Sequence, residues 1–86
     1  MTWRLVWTES ARRDLAKLDK QVAVRVIRVA TRFAETGHGD VKQLQPPLGG
    51  VRLRAGDWRL RFELDEAEGV MQVIRVLHRR EAYRDR

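Results

Sequence analysis

The stretch Trp58-Arg59-Leu60-Arg61-Phe62-Glu63-Leu64 alternates apolar and charged residues without a break. Only Ala55-Gly56-Asp57 precedes it and Asp65–Gly69 follows it before further apolar patterning begins. A period of two is the signature of a strand. Trp58, Leu60, Phe62 and Leu64 share one side, and Arg59, Arg61 and Glu63 share the other. Connections this short, with Gly or Asp where a turn needs them, make hairpins. Residues 51–54 and 70–77 are therefore predicted as antiparallel neighbours of 58–64. A sheet with one apolar side needs a cover, and that cover must come from the N-terminal half.

The N-terminal half supplies it. Residues 2–7 alternate well enough for a short strand, and Thr8 is placed to cap a helix from Glu9. Ala11, Leu15 and Leu18 fall on one helical side. Asp19 can cap a second helix, in which Val22, Val26, Val29, Ala30 and Phe33 line one side and Arg25, Arg28 and Arg32 the other. Its β-branched residues weaken it and make a strand the rival reading. The length and the 3.6-residue spacing of the arginines favour helix, and Gly37 is a natural C-cap. A tight joint at 18–20 predicts an antiparallel pair. Residues 37–50 hold both prolines and read as a loop with a short extended piece near 41–44. The prediction is one α+β domain over 1–86. In it a helical hairpin covers one face of an antiparallel sheet of about four strands, in the order β-α-α-β-β-β.

Composition removes several function classes. There is no cysteine, so no disulfide framework and no thiolate metal site. His38 and His78 are the only histidines and show no metal-ligand spacing. No cofactor site is expected. The apolar N-terminal stretch is short and broken by Arg4, unlike a signal peptide, and no run approaches a membrane span. A cytoplasmic protein is the expectation. The net charge of +6 favours an anionic partner.

That charge is sorted by place. Alternation puts Arg52 and Arg54, Arg59 and Arg61, and Arg75 and Arg79 on the side of the sheet away from the helices. On the last strand Val70, Ile74 and Val76 are expected inward, and Met71, Val73 and Leu77 outward. Cross-strand neighbours sit about 4.5–5.5 Å apart, where like charges repel. Only Glu63 offsets them locally. One reading is a solvated face screened by salt. The other is a face built for phosphates, which the planar guanidinium fork binds bidentately. His78 ends the last strand on the inward parity, where a structural role is the default. Tyr83 follows in the tail, placed either to pack or to serve proton transfer.

"VRLRAGDWRLRFEL" followed by "VIRVLHRREAYR" closely resembles the C-terminal half of RelE/ParE-superfamily toxins of bacterial type II toxin–antitoxin modules. "VKQLQPPLGG" resembles the family's Lys-x-Leu…Gly loop, and "ESARRDLAKLDK" its first helix. The resemblance spans nearly the whole chain in the right order. Val51 and Trp58 replace common tyrosines, and Gly50 stands where ribosome-dependent members often carry a lysine.

The resemblance implies the same two-helix, curved-sheet fold. For the RelE-like branch it implies an endoribonuclease that cuts mRNA in the ribosomal A site. The catalytic set it implies is Arg52, Arg59, Arg79 and Tyr83, with His78 matching a histidine some relatives use. Arg54, Arg61, Arg75 and Arg80 are the RNA-binding candidates. RNA carries its own nucleophile in the 2′-OH, so positioning and charge supply much of the catalysis and no divalent ion is required. The resemblance further implies an acidic antitoxin as partner. No membrane partner and no direct DNA readout are expected. Two alternatives remain: a ParE-like toxin that poisons gyrase, and a non-catalytic basic module that receives an acidic protein segment.

Overall fold

The computed structural model describes residues 2–44 and 50–82. In chain order come β1 (Arg4–Trp7), α1 (Glu9–Ala16), α2 (Lys20–Thr36), β2 (Asp40–Gln43), β3 (Val51–Ala55), β4 (Trp58–Asp65), β5 (Val70–His78) and a one-turn α3 (Arg79–Ala82). The helix boundaries follow local chemistry. The Thr8 hydroxyl accepts the Ala11 N–H at 3.1 Å and donates to the Ile74 carbonyl at 2.8 Å. The cap of α1 is thereby also a tie to β5. Asp19 starts α2 without a side-chain cap bond. The weak propensity of α2 is overridden by burial, because Val26, Ala30, Phe33 and Ala34 all enter the core. Gly37, at φ 77°, turns the chain out of the helix while its N–H bonds the Phe33 carbonyl.

The sheet runs β1-β5-β4-β3-β2, with β1 parallel to β5 and every other pair antiparallel. It has five strands rather than about four. The extended piece near 41–44 is a true edge strand, Asp40–Gln43, paired with β3. β1 joins the other edge in parallel, a pairing only a long connection permits. Leu53, Leu60, Phe62, Met71, Val73 and Val76 pack under Val26, Ala30 and Phe33 from α2 and Ala11 from α1. Phe33 and Phe62 meet with ring centroids 5.2 Å apart.

One expectation fails on β5. Arg61 stands opposite Arg75, yet Phe62 stands opposite Val73, so Ile74 is a bulged residue. A bulge sets two residues against one and reverses the alternation beyond it. Met71 and Val73 therefore face the helices, fully buried, instead of facing out. Val70, expected inward, pairs with Asp65 on the opposite side. Val76 and His78, C-terminal to the bulge, keep the inward parity.

Placement of α1 completes the frame. β1 ends at Trp7 opposite Val73, and beyond that point α1 runs along the edge of β5. Thr8 N–H bonds the Val73 carbonyl at 3.0 Å. The Asp14 carboxylate accepts the Val76 N–H at 2.9 Å and Arg75 Nε at 2.8 Å. A helix thus closes an edge that would otherwise present unpaired backbone. No helix among the described residues is long and apolar enough to cross a membrane.

Candidate functional site

Register partners on an antiparallel pair project to the same side. On the side away from α2 they form two rungs across the sheet. One is Asp40, Arg54, Arg59 and Leu77, and the other is Lys42, Arg52, Arg61 and Arg75. The first rung lies beside the β3–β4 turn, and that turn organises the site. Gly56 takes φ 62°, the left-handed conformation that favours glycine. Its carbonyl accepts Arg59 Nη1 at 2.7 Å and Arg54 Nε at 3.3 Å. Arg59 Nη1 also reaches the Trp58 carbonyl at 3.1 Å. The carbonyl of Asp57 accepts the Arg79 N–H at 2.8 Å, while its carboxylate lies 3.8 Å from Arg79 Nη1. Two residues of turn backbone therefore hold Arg54, Arg59 and Arg79 in place.

Arg59 is the centre. Among the described residues it is the one charged residue that is buried, at 9% exposure, and its Nε–H has no hydrogen-bond partner there. Burial lowers its pKa from the ordinary arginine value, and the charges of Arg52, Arg54 and Arg79 lower it further. Asp57 opposes them. A guanidinium stays protonated in a protein all the same. The lowered value thus expresses how poorly a cation is accommodated there without an anion. Leu77, opposite Arg59, is 4% exposed although it lies outside the core cluster, so the cationic cluster has an apolar floor.

The expected residues sort as follows. Arg54, Arg59 and Arg79 meet at the turn, and Arg52, one rung away, joins Arg54 and Arg79 in acting electrostatically on Arg59. Arg61 and Arg75 occupy the second rung, where Asp14 holds Arg75 through its Nε at 2.8 Å and its Nη2 at 3.3 Å. Arg80 is exposed on α3. His78 pairs with Trp58 on the helix-covered side, its ring edge-on to the indole at 5.2 Å, and its Nδ1 accepts the Arg80 N–H at 3.3 Å. Tyr83 lies outside the described residues. No three His, Asp or Glu side chains among the described residues form a metal-binding group.

Two cations were not foreseen. Lys42 stands in register with Arg52 on β2, a strand too short and polar to show its alternation. Arg25 reaches the turn from α2: a Cβ on Gly56 would lie 3.1, 3.2 and 3.3 Å from its Cζ, Nη1 and Nη2. Spacing on α2 assigns Arg25 to the solvent side but carries no signal of which turn it meets.

Comparison with known proteins agrees with the fold and supplies the family. Residues 5–83 match the family model described as ParE toxin of the type II toxin–antitoxin system, parDE. Toxin RelG of Mycobacterium tuberculosis is 31% identical over 88 residues, covering 98% of this chain and 99% of that protein. The toxin–antitoxin complex RelBE2 from the same organism contains a chain that superposes with a TM-score of 0.79 at 28% identity, over 91% of this chain and 92% of that one. A mutant of Escherichia coli toxin RelE in the free state gives 0.72 at 21% identity over 99% and 94%, a likeness of fold. This chain belongs to the ParE toxin family and is a toxin of a type II toxin–antitoxin system, within the RelE/ParE superfamily.

Proposed function

We propose that this toxin is a metal-independent endoribonuclease that cuts mRNA in the ribosomal A site. What supports the reading above all is the convergence of the charges of Arg52, Arg54 and Arg79 on Arg59, which is buried and held by backbone carbonyls. Cationic groups gathered in this way suit a phosphorane, whose charge grows as the reaction proceeds. The 2′-oxygen attacks the adjacent phosphorus as its proton passes to a base. The bond to the 5′-oxygen breaks, and that oxygen takes up a proton. The products are a 2′,3′-cyclic phosphate and a 5′-hydroxyl. Arg59 neutralises the non-bridging oxygens from below, and Arg52, Arg54 and Arg79 bind from the rim. With His78 engaged by Trp58 and Arg80 on the other side of the sheet, proton transfer falls to Tyr83. Arg61 and Arg80 hold flanking phosphates, while Arg75, expected among them, is taken up by the Asp14 carboxylate. The activity places the protein in the cytoplasm. Its natural partner is an acidic antitoxin, as the toxin–antitoxin complexes it resembles suggest.

Primer extension on mRNA from translating ribosomes tests this directly. Wild type should give in-frame cuts, and Arg59→Ala should lower their rate about 100-fold or more, the usual cost of one oxyanion donor. Arg79→Ala should do likewise. A 3′-hydroxyl on the upstream fragment would sink the mechanism. The matching model is that of the parDE toxin, which keeps a second reading, gyrase poisoning, in play. Intact mRNA from a preparation that blocks growth would select it.

A further inference from the structure

The approach of Arg25 to Gly56 has no explanation in the fold itself. Three guanidinium atoms lie at nearly equal distances, 3.1 to 3.3 Å, from where a Cβ would be. The guanidinium therefore lies against the side of Gly56 from which a side chain would project. It does not serve the Gly56 carbonyl, which Arg54 and Arg59 already occupy. Among the described residues Arg25 makes no hydrogen bond and no ion pair. It is an exposed side chain on a flexible stem, free to turn to water, yet it lies against the turn that carries Arg54, Arg59 and Arg79. Among the described residues, Asp40 lies 3.8 Å from Arg54 and Asp57 lies 3.8 Å from Arg79. Like charges crowd this way where a polyanion is to be bound. The glycine serves twice here: it supplies the left-handed turn and leaves room for the guanidinium.

We propose that Arg25 is a phosphate-binding group separate from the Arg52–Arg54–Arg59–Arg79 cluster. It seats a neighbouring phosphate of the single-stranded RNA as the strand leaves the sheet over the Gly56–Asp57 turn towards α2. The inference rests on the ribonuclease reading and extends it from the reacting phosphate to the path of the strand. Arg25 touches no reacting atom in this scheme; it positions the backbone.

The test is anisotropy of a labelled single-stranded RNA oligonucleotide with 2′-O-methyl riboses, which lacks the nucleophile and stays intact. Binding is measured against potassium chloride concentration. Each phosphate contact adds about 0.7 to the log–log slope for a single strand. Arg25→Gln should make the slope shallower by about 0.7, which at 0.1 M salt is roughly a fivefold loss of affinity relative to a 1 M reference. Arg25→Lys keeps the charge and should hold the slope. Arg32→Gln, on α2 about 10 Å further along, should change it by less than half as much. Arg25 is exposed, and an unchanged melting temperature would confirm that its variants fold. An unchanged slope in Arg25→Gln, with binding lost in Arg59→Gln, overturns the Arg25 assignment and leaves the active-site reading intact. Equal effects of Arg25→Gln and Arg32→Gln overturn it also, since the charge is then diffuse. A wild-type protein whose binding ignores salt and Arg59→Gln alike removes both.

Discussion

Replacing Asp14 with alanine should cost this toxin about a third of its stability. One carboxylate, with a side chain 12% exposed, accepts Arg75 Nε at 2.8 Å, Arg75 Nη2 at 3.3 Å and the Val76 N–H at 2.9 Å. The three bonds are not equivalent. Arg75 has a side chain 37% exposed, so the loss of this contact forfeits about 1 kcal/mol or less. Val76 is 2% exposed and its N–H lies in the strand backbone, so it cannot turn. Leaving a buried donor unsatisfied costs about 1–3 kcal/mol. The expected loss is about 3 kcal/mol. A domain of this size has roughly 4–13 kcal/mol in all, at about 0.05–0.15 kcal/mol per residue. The melting temperature should fall by roughly 15 °C at about 4–8 °C per kcal/mol. Asp14→Asn keeps an oxygen for Val76 and should lose only about 1 kcal/mol. Urea unfolding of wild type, Asp14→Ala and Asp14→Asn measures all three. An alanine variant within about 0.5 kcal/mol of wild type would refute the reasoning, for the β5 edge would then be satisfied by water and α1 would not be sealing it.

Gly39 has no left-handed φ, but a Cβ there would meet Leu53 Cδ1 at 2.7 Å. Gly39→Ala should therefore cost about 1–3 kcal/mol by overpacking, and less in a Leu53→Val background, which lacks the offending carbon, as a double-mutant cycle would register. Arg59→Met keeps the apolar stem while removing a buried charge among three like charges. It should abolish RNA cleavage and raise stability by about 1 kcal/mol, read as a melting temperature about 5 °C higher; a loss of more than about 1 kcal/mol would show that its carbonyl bonds outweigh the repulsion.

Local chemistry was legible in the sequence, and relations between distant segments were not. The alternation of 58–64, the Gly56-Asp57 turn, the Thr8 cap and the Gly37 stop each depend on a few neighbouring residues, and each stands where expected. The bulge at Ile74 breaks the pattern because "VIRVL" is apolar on both sides of a single arginine and offers no alternation to mark a skipped residue. The parallel pairing of β1 with β5 and the sealing of the β5 edge by Asp14 join residues some sixty positions apart. Nothing in either segment alone announces its partner. The candidate site divides the same way. Arg52, Arg54 and Arg59 follow from strand parity, and Arg79 from the strand's end. Arg25 depends on the height at which α2 crosses the β3–β4 turn, a quantity set by packing of Val26, Ala30 and Phe33.

The same sheet has to satisfy opposite demands on its two sides, and the turn at Gly56-Asp57 shows how. The helix-covered side is held by apolar contact and tolerates no charge. The other side collects guanidinium groups that repel one another, and among the described residues no acid forms an ion pair with Arg59. Backbone carbonyls are the remedy, because a carbonyl dipole fixes a guanidinium without cancelling its charge. Gly56 and Trp58 fix Arg59 in this way, and Asp57 fixes Arg79 through its backbone and stays 3.8 Å from the guanidinium with its carboxylate. A close bidentate carboxylate would have stabilised the fold further and blocked the arginine for an incoming phosphate. Where full pairing does occur, at Asp14 and Arg75, the arginine lies in the second rung at the sheet's edge. Tight neutralisation at the structural edge and loose restraint at the turn are what a surface needs if it is to hold its fold yet remain cationic for an incoming anion.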